Sequence, residues 1–163
     1  MNIFALSRCP MQSAWWLDDI RKNKMILESA QMLSTAVRWL DPDTTLPVYK
    51  LAYINHPCSK WARRSRANFQ WLLSHMSWLF NQKSGGHKSA RLIPLFQQYA
   101  DDGEFPNEEL TDFANCARNL ERGVDYSDVD DVHQAYRMYM NDRWKERNIT
   151  LTWRWGKEPD WRS

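Results

Sequence analysis

The sequence predicts a mainly α-helical protein: a single compact domain of about five helices, with an extended N-terminal arm and a Trp-rich C-terminal tail. Long segments lack Pro and Gly and are rich in good helix formers. Their apolar residues recur every three to four positions, as on the buried face of a helix. Only residues 150–155 alternate like a strand, and a lone strand has no pairing partner. A chain of 163 residues fits one domain with a core of its own.

In the first part of the chain, residues 2–6 form a short apolar run that we expect to be an extended arm. Residues 11–17 are expected to form a helical turn. Residues 18–40 follow as a long helix, and Asp41-Pro42 ends it because a residue before Pro disfavours helix. Residues 44–55 are then a connecting loop.

The rest of the chain predicts four further helices separated by turn signals. They are a long helix from Pro57, a favoured first helical residue, to Phe80; a short one through Tyr99, interrupted at Pro94; one over residues 108–120; and one that follows the acidic residues 127–131 and runs through Arg147. Gly85-Gly86 separates the first two.

Charge is distributed unevenly along the chain. Residues 44–100 contain no Asp or Glu but eight Lys or Arg, whereas residues 101–142 contain twelve acids and few cations. A basic segment of this length is typical of a protein with an anionic partner, so we expect a nucleic acid or a nucleotide. The acidic segment either folds back on the basic one or keeps the protein soluble.

Cysteine usage and hydropathy bear on the compartment. The three cysteines are Cys9, Cys58 and Cys116, an odd number without a regular spacing. No apolar run approaches a membrane span, and the N-terminus lacks a secretory signal pattern. We therefore expect free thiols, no membrane association and a cytoplasmic location.

One face of the first long helix carries the most informative pattern. Ile26, Ala30, Leu33, Val37 and Leu40 form a core stripe, and the opposite side places Glu28 among cations and neutral polar groups. That polar face consists of Arg21, Lys24, Glu28, Gln31 and Thr35. It is either a solvent face with a Lys24–Glu28 pair, or one wall of an active site with Glu28 as the working carboxylate.

A second pattern lies around the start of the helix at Pro57. A helix start joined by three arginines is typical of phosphate binding, and interleaved Trp61 and Trp71 are candidates for stacking on a base. The phosphate-binding candidates here are His56, Arg63, Arg64, Arg66, Asn68 and His75. The alternative is a basic solvent face over a buried aromatic face.

A glycine turn at Gly85-Gly86 delivers a further set of polar residues to a helix start. These are His87, Lys88, Ser89 and Arg91, which we expect to supply a phosphate contact. Their spacing is not that of a P-loop, so a nucleoside-triphosphate site is not expected. His and Cys residues do not follow zinc-site spacing, so neither a metal nor another cofactor is predicted. Cys58 is either a nucleophile or, more simply, a small buried residue.

The residues quoted above also carry a family resemblance. The patterns NIFALSRCPMQSAWWLDD, KMILESAQMLSTA, HPCSKWARRSRANFQWLLSH and GGHKS resemble a family of small bacteriophage proteins over most of the chain. The layout is remotely similar to the pyrimidine-dimer DNA glycosylases of the endonuclease V type. This resemblance implies an all-α domain that flips a nucleotide and cuts its glycosidic bond, with the N-terminal α-amine as nucleophile and a helical Glu, here Glu28, as the acidic group.

Two positions depart from that pattern. Arg21 stands where those enzymes carry His, and Asn2 is too large for efficient removal of Met1, so the amine would be that of Met1. The resulting expectation is a phage enzyme that cleaves an N-glycosidic bond with Glu28, Arg21, Lys24 and Met1 in its catalytic centre. The alternative is a non-catalytic protein that binds a host protein or sequesters a nucleotide-like signal. The site is expected between the two long helices rather than on the acidic half.

Overall fold

A computed structural model describes residues 1–146 and 149–163. It confirms the predicted class, a mainly helical single domain. The helices are α1 (Pro10–Trp16), α2 (Asp19–Leu40), α3 (Pro57–Ala62), α4 (Arg66–Asn81), α5 (Ile93–Asp102) and α6 (Val132–Lys145). A 3₁₀ turn at Lys88–Leu92 precedes α5, and a two-residue hairpin pairs β1 (Arg118–Asn119) with β2 (Val124–Asp125). The last helix was predicted to reach Arg147, which lies outside the described residues.

Helix α2 is the centre of the fold. It begins after Asp18, whose carboxylate accepts hydrogen bonds from the backbone N–H groups of Ile20 and Arg21, and it ends at Leu40, before Pro42. It packs against both α3 and α4. Most of its predicted core stripe is fully buried, but so are several residues of its other faces. A helix covered on most sides holds its remaining polar groups in fixed positions.

The second long helix is two helices. Residues 57–80 were predicted as one element, but α3 ends at Ala62 and α4 begins at Arg66. Ser65 starts the new helix because its hydroxyl oxygen accepts a hydrogen bond from the Asn68 backbone N–H at 3.0 Å. The polar residues before and after this break therefore do not share one continuous face.

The helix predicted over residues 108–120 is wrong. Residues 108–117 are irregular, and several of their backbone groups bond to other elements instead of forming a helical ladder. The N–H of Thr111 donates to the Asn68 side chain at 2.9 Å, and the N–H of Cys116 donates to the hydroxyl of Tyr136 at 3.1 Å. These anchors bring Cys116 and Arg118 to the N-terminal arm, where Asn2 donates to the Cys116 carbonyl at 3.0 Å.

The N-terminal arm and the Trp-rich tail both pack against the helices. Residues 2–6 pack into the core, with Ile3 and Leu6 fully buried. The arm is not extended throughout as predicted, because Phe4 has a positive φ of 39° and the Leu6 N–H donates to the Phe4 carbonyl at 2.7 Å. In the tail, the Trp153 indole donates to the Trp16 carbonyl at 2.9 Å, and Trp161 stacks on Trp144. The described part of residues 150–155 contains no strand. Among the described residues, no helix is both long enough and apolar enough to cross a membrane.

Candidate active site

A cavity of about 450 Å³ opens beside the N-terminal half of α2. Its size is ordinary for a small-molecule or nucleotide site. Five segments meet there: the N-terminal arm, α2, the start of α3, the stretch before the hairpin, and α6. The lining residues are Met1, Asn2, Phe4, Ile20, Arg21, Lys24, Met25, Glu28, His56, Pro57, Cys116, Arg118, Asn119, Tyr139 and Arg143.

Glu28 is the one carboxylate among these residues, and it is buried. Its Oε2 accepts a hydrogen bond from the backbone N–H of Asn2 at 2.9 Å and lies 4.0 Å from the amino nitrogen of Met1. Its Oε1 lies 3.5 Å from the ammonium of Lys24. The carboxylate is thus held between the first two residues of the chain and a cation one turn earlier on α2.

The position of the Met1 amine is fixed by the residues around it. The Asn2 side chain accepts hydrogen bonds from the N–H groups of Ile3 and Phe4 at 2.8 and 3.1 Å, which folds the arm back on itself. The side chain of Met1 is 2% exposed, and its sulfur lies 3.5 Å from the Ser59 hydroxyl, which donates to it. A buried side chain and a bonded neighbour leave the amine little freedom.

Arg21 lies at the cavity wall but does not pair with Glu28 as the sequence suggested. Its Nη1 donates to Asp18, a fully buried carboxylate that also accepts from the indole of Trp144 at 2.9 Å. Its Nη2 is buried without a hydrogen-bond partner among the described residues. A buried guanidinium N–H with no partner is costly, and an anionic ligand in the cavity would satisfy it.

The charge of the cavity is strongly positive. Arg21, Lys24, Arg118 and Arg143 line it together with the Met1 amine, against the single carboxylate of Glu28. Burial, followed by the positive amino terminus, lowers the pKa of His56 below its ordinary value. The imidazole is therefore neutral at neutral pH and able to accept a hydrogen bond. An anionic group such as a phosphate fits this environment.

Five predicted site residues therefore meet in this cavity: Met1, Arg21, Lys24, Glu28 and His56. The cavity does not lie between the two long helices, as the sequence suggested. It lies at one end of α2, and the C-terminal half, which the sequence excluded, supplies Arg118, Tyr139 and Arg143 among others. The reason is that residues 103–117 are irregular and carry the chain back to the N-terminal arm.

Asn68 and His75 are structural residues, which corrects their predicted role as ligand-binding groups. Asn68 is fully buried and bridges the Trp61 carbonyl and Thr111, at 2.8 and 2.7 Å. His75 is fully buried, bonds to the Pro10 carbonyl at 3.1 Å, and stacks on Trp71. Burial lowers the pKa of His75 to about 4, so the ring is neutral.

The two tryptophans predicted to stack on a base are core residues. Trp61 is 2% exposed and Trp71 is 6% exposed. Their rings pack edge to face on each other, and both contact Phe113. A ring enclosed in this way has no free face for a base, so the stacking prediction is wrong for both residues.

The predicted phosphate-binding arginines of the basic segment separate into two groups. Arg63 and Arg66 bond to other residues of the protein. Arg63 donates to the Ile54 carbonyl at 2.8 Å. Arg66 pairs with Glu108 and donates to the carbonyls of Ala100, in the last turn of α5, and of Gly103, just after it. Arg64 is exposed. The guanidinium groups of Arg63 and Arg66 therefore link α3 and α4 to neighbouring loops and are not free for a phosphate.

The glycine-turn set lies away from the cavity. His87 and Ser89 are structural: the Nδ1 of His87 accepts from the Ser89 N–H at 3.0 Å, and the Ser89 hydroxyl bonds to the Tyr49 hydroxyl at 2.8 Å. Lys88 and Arg91 are exposed. A phosphate contact therefore remains a prediction for Lys88 and Arg91, but not for His87 and Ser89.

Sequence reasoning missed Asn2, Cys116, Arg118, Asn119, Tyr139 and Arg143 as cavity residues. One signal was present for Arg118, which is one of few cations in a long acidic segment. Asn2 lies on the arm, 26 residues before Glu28, and the remaining four lie about 90 residues or more after it, so no helix periodicity connects any of them to it.

No family model, no curated protein and no solved structure matches this chain.

Proposed function

We propose that this protein is a phage-encoded enzyme of nucleic-acid metabolism that cleaves an N-glycosidic bond, in the manner of a DNA glycosylase. One observation carries the proposal: the amino nitrogen of Met1 lies 4.0 Å from the Glu28 carboxylate inside a cavity lined by four cationic side chains. A nucleophile, a carboxylate and an anion-binding wall are the parts that such a reaction requires.

In the proposed reaction the Met1 amine loses a proton to solvent and then attacks C1′ of a nucleotide held in the cavity. The new C1′–N bond forms as the C1′–base bond breaks, and the base leaves with that electron pair and takes up a proton. Glu28 stabilises the positive charge that grows on the sugar. The attached amine then loses a proton, the C1′–O4′ bond breaks as the C1′=N bond forms, and O4′ takes up a proton, which leaves a protonated imine between Met1 and C1′.

The cations supply the binding energy for the nucleotide. Arg21 offers an unpartnered N–H, and Arg118 and Arg143 reach the cavity from the C-terminal half, so phosphates on either side of the target have charged partners. Phe4 lines the cavity and is only half-buried, so it provides the aromatic surface that the two core tryptophans do not. The ring of Tyr139 is buried and stacks behind it at 6.0 Å between centroids.

The direct test measures base release. The protein is incubated with ultraviolet-irradiated DNA, with other base-modified DNA, with abasic DNA and with free nucleotides, and released bases and strand breaks are quantified. Glu28→Gln should abolish release, while Glu109→Gln, at an exposed carboxylate far along the chain, should not. Absence of release from all substrates by the wild-type protein would exclude the proposed reaction.

A second candidate function is binding of a host protein, and exposed apolar residues favour it. Trp39, Leu51 and Tyr53 are all about half exposed or more. Arg63 contacts both the Trp39 ring and the Ile54 carbonyl, which places these residues near one another. A protein without base release whose capture of a host protein is lost on Trp39→Ala, but kept on Glu28→Gln, would support this candidate.

A further inference from the structure

Two cysteines and a histidine from distant parts of the chain meet at the floor of the cavity. The ligand atoms of His56, Cys58 and Cys116 all lie within 4.8 Å of one another. His56 and Cys58 lie at the start of α3, whereas Cys116 lies on the irregular segment before β1. The sequence predicted no metal because 57 residues separate Cys58 from Cys116, and only the return of that segment to the N-terminal arm joins them.

The donor set has a definite chemical preference. Two sulfurs and an imidazole nitrogen are the ligands of Zn²⁺ and similar thiophilic divalent cations. A tetrahedral zinc ion with bonds of about 2.3 Å to sulfur and about 2.0 Å to nitrogen keeps its ligand atoms roughly 3.8 Å apart or less. The cluster therefore needs to contract by at most about 1 Å.

The two thiols and the imidazole already interact with one another. The interaction between the two thiols, together with burial, raises the pKa of Cys58, and the same interaction lowers the pKa of Cys116. Arg118 and the amino terminus lower the pKa of Cys116 further. The Nδ1 of His56 accepts from the Cys58 N–H at 3.1 Å, so a metal at this nitrogen replaces that bond. His56 is half-buried and lines the cavity.

We propose that His56, Cys58 and Cys116 bind one zinc ion, with its fourth position open to the cavity. The open position follows from the lining: His56 and Cys116 face the cavity, whereas Cys58 is fully buried behind them. Three protein ligands and one open position are the arrangement of zinc sites that bind a water or a substrate. Binding releases the thiol protons to solvent. This inference is independent of the proposed glycosidic cleavage.

Cobalt is the spectroscopic probe for this site. Metal-free protein, kept reduced with a phosphine, is titrated with Co²⁺ and then with Zn²⁺. The wild-type protein should give a thiolate-to-cobalt charge-transfer band that saturates at one equivalent and disappears when zinc displaces cobalt. Cys116→Ser and Cys58→Ser should lose the band, and Cys9→Ser, at an exposed cysteine elsewhere, should keep it. No band in the wild-type protein, or an equal band in Cys116→Ser, would overturn the proposal.

A measurement on the wild-type protein avoids the risk that a cysteine variant misfolds. Each cysteine is alkylated with iodoacetamide with and without one equivalent of Zn²⁺, and the modified peptides are quantified by mass spectrometry. Zinc should slow the modification of the partly exposed Cys116 at least tenfold and leave the rate at Cys9 unchanged. Equal rates at Cys116 with and without zinc would contradict a site at these residues.

Discussion

The cavity beside α2 and the polar interior around α4 contain the same kinds of residue, but they differ in charge. Around α4, Asn68 bonds to a backbone carbonyl and to Thr111, and the Nδ1 of His75 bonds to a backbone carbonyl. The Nε2 of His75 and the Nη2 of Arg21 are both buried without a hydrogen-bond partner among the described residues, but the first belongs to a neutral ring in the core and the second to a cation at the cavity wall. Neutral polar groups enclosed in the core stabilise the fold, whereas a cavity lined by four cationic side chains and one carboxylate favours an anionic ligand.

The largest expected effect is on the rate of base release, and it comes from a change in the cavity. Glu28→Gln should lower base release by on the order of 10²–10⁴-fold, because the amide no longer carries the charge that stabilises the sugar cation. It keeps an oxygen to accept from the Asn2 N–H, so the melting temperature should stay close to that of the wild type. Rates from single-turnover assays and thermal unfolding measure the two quantities. A large loss of stability with unchanged rate would make Glu28 a structural residue.

Asn68→Ala should have the reverse outcome. It removes the partners of the Trp61 carbonyl and of Thr111, and unsatisfied buried polar groups cost about 1–3 kcal/mol each. Urea unfolding should show this loss of unfolding free energy, while the activity of the folded protein is unchanged. The matched control is Gln70→Ala on the exposed side of the same helix. Loss of activity without loss of stability would show that Asn68 is a ligand-binding residue and not a structural one.

His75 makes the stability of the fold depend on pH. Its pKa is about 4 in the folded protein and near 6.5 when unfolded, so below pH 6.5 the unfolded chain binds a proton that the folded protein does not. This contribution is fully present above pH 6.5 and is lost as the pH falls towards 4, by up to roughly 1.4 kcal/mol per pH unit.

The check is urea unfolding of wild type and His75→Gln between pH 4 and 7. The wild-type free energy should fall more steeply with acid than that of the variant. Parallel curves would show that the ring is protonated in the folded state, in conflict with its complete burial.

The smallest effect concerns the phosphate-binding surface. Arg118→Ala should weaken binding to a DNA substrate and reduce the slope of log affinity against log salt by about one, because one phosphate contact is lost. Arg64→Ala removes an exposed cation of the basic segment and should change the slope less. If the two variants weaken binding equally, the basic segment belongs to the interface as the charge pattern suggested.

The sequence predicted those features that depend on neighbouring residues. Asp18 and Pro42 marked the ends of α2, and helical periodicity placed Glu28 opposite the core stripe. The sequence did not predict the break at Ser65. Ser is a preferred residue at the start of a helix, and here its hydroxyl accepts a hydrogen bond from the Asn68 N–H. Residues 108–120 have a helical composition. The backbone N–H groups of Thr111 and Cys116 instead donate hydrogen bonds to the side chains of Asn68 and Tyr136, and the segment is not helical. Contacts over such distances are not visible as periodicity, and for that reason Cys116 and Arg118 were missed.

The central claim, that the Met1 amine is the nucleophile, is tested most directly by trapping its imine. The protein is incubated with abasic DNA and borohydride, and the covalent product is digested and mapped by mass spectrometry. We expect one adduct at the amino nitrogen of Met1, and none when a single glycine is added before Met1, since the new amine is displaced from Glu28. An adduct at Lys24 or another lysine, or undiminished trapping by the extended protein, would contradict the claim.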